Sequence, residues 1–258
     1  MTEAERAVAD RRKGSVERLH CLLQIGYFKA KQAFFNFDVQ DIPAEDIEFL
    51  LRHYFPGETV TLRPLRPNER YTQRAEIAKL FSYRLWSAAD RPALIETAAL
   101  LARRDVKPTF ILVEVLGFLK ARKIVRPGYT TLQTIISDVL VAERGRLACL
   151  VETGLDAGTR AALQDLLVHE GALSELAALK QDAKHFGYQM MVAERQKHAT
   201  LAPLHTAAKA ILPRLGISHQ NTMYSASLVH YYTIFDLRRI AAGQRHLYLL
   251  CYAWERYR

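Results

Sequence analysis

PTFILVEVLGFLKARKIVRPGYTTLQTIISDVL, residues 108–140, decides the fold class. Pro108 can open a helix, because a residue in the first helical position needs no N–H partner. From Phe110 to Phe118 the stretch is apolar almost all round, the mark of a helix inside a core. Pro127-Gly128 signals a turn, and Thr130 or Thr131 can cap the next helix. In that helix Leu132, Ile135, Ile136, Val139 and Leu140 recur at helical spacing, with Gln133, Thr134, Ser137 and Asp138 on the other side. The pattern is helix, turn, helix, with no period-two alternation.

The same pattern extends in both directions. Thr2 can cap a helix running to Arg12, with Gly14 as its stop. Ser15 can cap the next, which carries Leu19, Leu22, Leu23 and Ile25 on to Lys31. Asp41 and Pro43 start a third, with Ile47, Leu50, Leu51 and Tyr54 on its apolar face. Its other face holds Glu45, Asp46 and Glu48, which should not lie against phosphate. Thr59–Arg70 carries Pro64 and Pro67 among Arg63, Arg66 and Arg70, has no helical periodicity and reads as a linker. Arg74–Arg84 reads as a helix in which Ala78 and Ser82 hold the spacing of the small residue and the turn residue in helix-turn-helix proteins. Arg91-Pro92 opens a helix to Arg104. Beyond Leu147 the chain reads as several helices, with breaks near Gly154, Gly171, Pro203, Pro213–Gly216 and Gly243. The expectation is an all-α chain in three parts: 1–62, 63–146 and 147–258.

Composition narrows the function classes. Half of the 258 residues are hydrophobic, too many for a disordered chain. No apolar run approaches the roughly 18 residues of a membrane span. MTEAERAVADRRKG, 1–14, carries acids and no apolar core, so it is not a secretory signal. Cys21, Cys149 and Cys251 are an odd number at distant spacings, which argues for buried thiols in a reducing compartment. His198 and His205 are seven apart without a third ligand nearby. There is no Gly-x-Ser-x-Gly, no phosphate-binding Gly-rich loop and no carboxylate in a setting suited to Mg²⁺. The chain reads as non-catalytic, with no catalytic residue, no metal ligand and no cofactor of its own.

Charge is the positive lead. The net charge is +9, and between 63 and 146 sixteen Lys and Arg stand against eight Asp and Glu. Binding DNA needs cations to displace counterions from phosphates and short polar side chains or a helix start to reach base edges. Basic clusters with polar or aromatic neighbours are Arg11-Arg12-Lys13, Lys29 with Lys31, Arg70-Tyr71-Thr72 with Arg74, and Arg103-Arg104. The fullest set is Lys120, Arg122, Lys123, Arg126, Tyr129, Thr130, Thr131 and Gln133. Apart from Arg103-Arg104, these form the expected contact set, with Thr131, Gln133 and an arginine of bidentate geometry as the better base readers. A solvated loop before a capped helix would leave the same pattern. A helical protein-interaction scaffold and an RNA-binding protein are the rival readings.

HCLLQIGYFKAKQAFF (20–35), RYTQRAEIAKLFSYR (70–84), IVRPGYTTLQTII (124–136), VHYYTIFDLRRI (229–240) and LYLLCYAWERYR (247–258) resemble, in order, the N-terminal region of Tn-three-family transposases. The resemblance implies two small helix-turn-helix-type modules, similar to those of the centromere-protein-B class, and then a larger helical domain. It implies binding of duplex DNA at terminal inverted repeats, self-association through the remainder of a longer protein, and replicative, cointegrate-forming transposition in the bacterial cytoplasm at the nucleoid. The Asp-Asp-Glu site and its Mg²⁺ would lie in a later domain, and this chain would be a fragment that stops inside the helix ending AWERYR.

Overall fold

The computed structural model describes residues 1–38, 41–168, 174–183 and 185–257. Among these residues there are thirteen α-helices and no strand, so the chain is all-α. A single parallel bridge joins Arg84 and Ile124. The chain forms two compact units, Met1–Leu94 with Leu112–Gln133 and Ile95–Ile111 with Thr134–Arg258. Neither divides at 62/63 or at 146/147.

The first unit begins with α1 (Glu3–Asp10) and α2 (Ser15–Lys31). Thr2 caps α1 in a reciprocal box with Glu5. Gly14, not Ser15, is the N-cap of α2; its N–H donates to Glu17, and the Ser15 hydroxyl turns instead to Glu58. Next come α3 (Ala44–Tyr54) and α4 (Pro67–Leu80). The linker expected to Arg70 therefore ends at Arg66, because Pro67 is already the first residue of a helix. Leu65, Ile77 and Ala78 share one core with Leu19, Ile25, Phe28 and Ile47, so the residues before and after 62 fold around the same apolar centre. Ala78 is buried and Ser82 is left-handed (φ 60), but the chain then runs without helix from 83 to 87.

Helices α5 (Arg91–Arg104), α6 (Pro108–Ala121) and α7 (Tyr129–Gly154) come next. Each is divided between the two units. α6 buries Ile111, Val115 and Leu119 completely, yet Val113 is 65% exposed, so it is not covered all round. α7 starts at Tyr129, which puts Thr130 and Thr131 inside its first turn rather than at the cap, and it runs unbroken past 146.

The rest of the second unit is α8 (Ala157–Asp165), α9 (Glu175–Lys180), α10 (Tyr188–Leu215), α11 (His219–Tyr231), α12 (Ile234–Arg239) and α13 (Ala242–Tyr257). The break expected at Gly171 lies outside the described residues. α10 runs straight through Pro203 and Pro213 and stops at left-handed Gly216. An interior proline costs about 3 kcal/mol; burial of Leu201, Leu204, Ala208, Ile211 and Leu215 opposes that loss. α13 packs along α10 and α11 and buries Leu247, Leu249, Leu250, Cys251 and Tyr252. The ring of His205 stacks on Trp254 and Tyr257, and that of His198 on Tyr257. No described helix is long and apolar enough to cross a membrane.

Candidate nucleic-acid interface

Every residue of the expected contact set falls in the first unit. What their charged ends touch divides them into two groups. Arg12 pairs with Glu76 of α4. Lys29 pairs with Glu5 at 2.9 Å. Arg70 pairs with Asp38 and donates from Nε to the Leu65 carbonyl at 3.2 Å. Arg74 donates to the Phe35 carbonyl at 3.1 Å and to the Asn36 side-chain oxygen. These four cations hold α1 and the 34–38 segment against α2 and α4.

Beneath them lies a buried polar pair. His20 Nδ1 is 2.8 Å from Gln73 Oε1, and Gln73 Nε2 donates to the Glu17 carbonyl at 2.9 Å. That second bond fixes the amide orientation, so the histidine donates from Nδ1. Gln24 Nε2 donates to the Phe35 carbonyl at 2.7 Å. Burial lowers the His20 pKa, and the nearby Arg70 and Arg74 lower it further; the Gln73 bond and Asp38 oppose them. Tyr71 and Thr72 are exposed on α4, where the Thr72 hydroxyl donates to the Asn68 carbonyl at 2.9 Å. Arg11 and Lys13 are exposed between α1 and α2.

The second group surrounds the turn after α6. Lys123 ends that helix in the left-handed region (φ 53), where a residue with a Cβ is disfavoured by roughly 1–2 kcal/mol. The Ile124 N–H closes back on the Leu119 carbonyl at 2.9 Å. The Arg84 N–H donates to the Lys123 carbonyl at 2.8 Å, and the Val125 N–H to the Arg84 carbonyl at 2.9 Å. The Arg126 N–H reaches the carbonyl of Gln32, just past the end of α2, at 3.3 Å. Ile124 and Val125 are buried, which anchors the turn and leaves its charged neighbours outward.

Lys120, Arg122 and Lys123 are exposed and Arg126 is half-buried, close in the chain fold to Lys31 at the end of α2. The Arg122 guanidinium lies 4.4 Å from the Phe118 ring, and the Lys123 ammonium 5.0 Å from the Tyr83 ring. None of these five cations has a carboxylate partner among the described residues. The turn then runs directly into α7, so the positive end of a 26-residue helix joins it. Tyr129 is 70% exposed and Gln133 is exposed one helical turn later. Tyr83, Phe118 and Gln32 shape this turn without belonging to the expected set; Tyr83 stands in a quoted block, but its contact joins segments forty residues apart. Among the described residues no group of three or more His, Cys, Asp or Glu could hold a metal ion.

Fold and site together define an all-α chain with a cationic turn, without a carboxylate partner among the described residues, at the start of a long helix. The family model described as "Domain of unknown function (DUF4158)" matches residues 1–139, more than half of the chain, and the chain belongs to that family. The matched span contains every residue of the expected contact set, from Arg11 to Gln133. No curated protein matches the chain.

Proposed function

We propose that this chain binds duplex DNA through the α6–α7 turn, as the N-terminal, non-catalytic region of a Tn-three-family transposase that recognises terminal inverted repeats. The observation that carries the reading is five cations without acidic partners among the described residues, beside the start of α7. A fold has no use of its own for that gathering, since like charges brought together oppose folding. Phosphates satisfy it: Lys31, Lys120, Arg122, Lys123 and Arg126 neutralise the backbone, and the helix start favours the same anions. Tyr129 and Gln133 are four residues apart and share one exposed face of α7. Gln133 can bond an adenine edge through both amide atoms. Helix-turn-helix-type docking, the Mg²⁺-dependent chemistry of a later domain and self-association of a longer protein belong to the same proposal.

The test is a salt titration of the full chain with duplexes enriched from a randomised pool, against scrambled controls. Log affinity should fall with log salt, with a slope of about −0.9 for each phosphate neutralised. Arg122→Ala, Lys123→Ala and Arg126→Ala together should weaken binding to every duplex and make the slope shallower by about 2 to 3. Gln133→Ala should chiefly narrow the ratio between enriched and scrambled duplex. Absence of binding at low salt would leave the interaction scaffold standing, and preference for structured RNA would leave the RNA reading.

A further inference from the structure

The end of α5 carries a second set of cations, in the other unit. A helix C-terminus presents carbonyls without intrahelical donors, and nearby Lys or Arg side chains often serve them. Here α11 serves them instead. Asn221 Nδ2 donates to the Ala102 and Arg103 carbonyls at 2.8 and 3.0 Å. The Ser218 N–H donates to the Arg103 carbonyl at 2.9 Å, and its hydroxyl to the Arg104 carbonyl at 2.5 Å. Asn221 Oδ1 accepts the Val106 N–H at 3.0 Å. Asn221 is 2% exposed, so this clasp is internal.

The one carboxylate of the turn is also turned inward. Asp105 is 8% exposed; its oxygens accept from Gln220 Nε2 at 2.8 Å and from the Lys107 N–H at 2.9 Å. Arg103, Arg104 and Lys107 are left on the outside and exposed. Arg104 rests 5.7 Å from the Phe110 ring. None of the three has a carboxylate partner among the described residues. The acid of the turn bonds the Gln220 amide and the Lys107 N–H rather than a cation, and the carbonyls that could have held the cations are already capped.

We propose that Arg103, Arg104 and Lys107 form a second phosphate-backbone contact for duplex DNA, made by the second unit and held in place by Ser218, Gln220 and Asn221. The second contact rests on the duplex-DNA reading of the first. The clasp fixes the backbone before any ligand arrives, so binding has only the side chains left to order. These side chains position the duplex and carry no base preference, because contacts to phosphate alone hold no sequence information.

The test compares the full chain with its Arg103→Ala/Arg104→Ala/Lys107→Ala variant on enriched and scrambled duplexes across a range of salt. The expected result is weaker binding to both duplexes, an unchanged ratio between them, and a salt slope shallower by about 2 to 3. Arg103→Lys/Arg104→Lys, which keeps the charge, should retain the parental slope. Matching thermal unfolding of parent and variants separates lost contacts from lost fold. A parent that binds and an alanine variant with the parental slope would overturn the second contact while leaving the first. A parent that does not bind duplex DNA at all would overturn both.

Discussion

At the scale of single residues, the buried histidines set a pH response. His20 and His246 are each about 1% exposed, and burial is the largest influence on both, lowering their pKa values. His246 Nδ1 is 2.7 Å from Glu152, which opposes the shift without reversing it. The unfolded chain therefore takes up protons first, near the ordinary histidine value of about 6.5. Stability is full above that value and falls as pH drops through it, until the folded-state values are reached. Urea unfolding at pH 7.5, 6 and 5 should show a falling midpoint, and His20→Gln or His246→Gln should flatten the fall. A midpoint that stays level over that range in the parent would rule the account out. The same scale shows what charge counting misses. Arg12, Arg70 and Arg74 look like Lys120 or Arg122 in the sequence, but their partners Glu76, Asp38 and Phe35 lie 32 to 64 positions away. Nothing local separates a guanidinium that ties two segments together from one that faces outward.

At the scale of elements, local signals were most readable where a proline begins a helix. α5 and α6 start at Arg91 and Pro108, the positions that Arg91-Pro92 and Pro108 mark. Interior prolines misled, because the apolar stripe of α10 that outweighs them becomes apparent only once α13 lies against it. Gly243 marks a real break, since α12 ends at Arg239 and α13 begins at Ala242. As the second residue of α13 it also meets α7 so closely that a Cβ would collide with the Ala148 carbonyl oxygen. The opposing atom is backbone, so it cannot move aside as a side chain would. Gly243→Ala should force the helices apart and destabilise the chain by about 1–3 kcal/mol, the usual range for overpacking. Thermal unfolding measures it; an unchanged midpoint would show that α13 sits farther from α7. The α6–α7 turn was legible as a turn and as a basic stretch, whereas its attachment to Arg84 and Gln32 was not, because backbone bonds between distant segments leave no trace in composition.

At the scale of the whole molecule, all-α architecture was legible in the periodicity, but the division of the chain was not. A stretch rich in Pro and Arg reads as a linker between domains, yet Val60, Leu62 and Leu65 pack on the core that α2 and α4 share. Residues 1–62 alone lack Leu65, Ile77, Ala78 and Val125, all buried members of that core. The fragment 1–62 should therefore fail to form a cooperative unit, showing weak helical circular dichroism and poor dispersion of its amide resonances. A well-dispersed spectrum from that fragment would restore the boundary that composition suggests.

Each compact unit is assembled from two separated stretches of chain, and this orders events during synthesis. The first unit lacks its last strip until Leu112–Gln133 has been translated, and by then Ile95–Ile111 is already out and still without its partners. At about 5–20 residues per second, that segment, with Ala98, Leu101, Ala102 and Ile111 still to bury, waits several seconds for the chain beyond Thr134. A nascent polypeptide of this kind offers chaperones a window that opens before either half is finished and closes only once the stretch through α13 has been made.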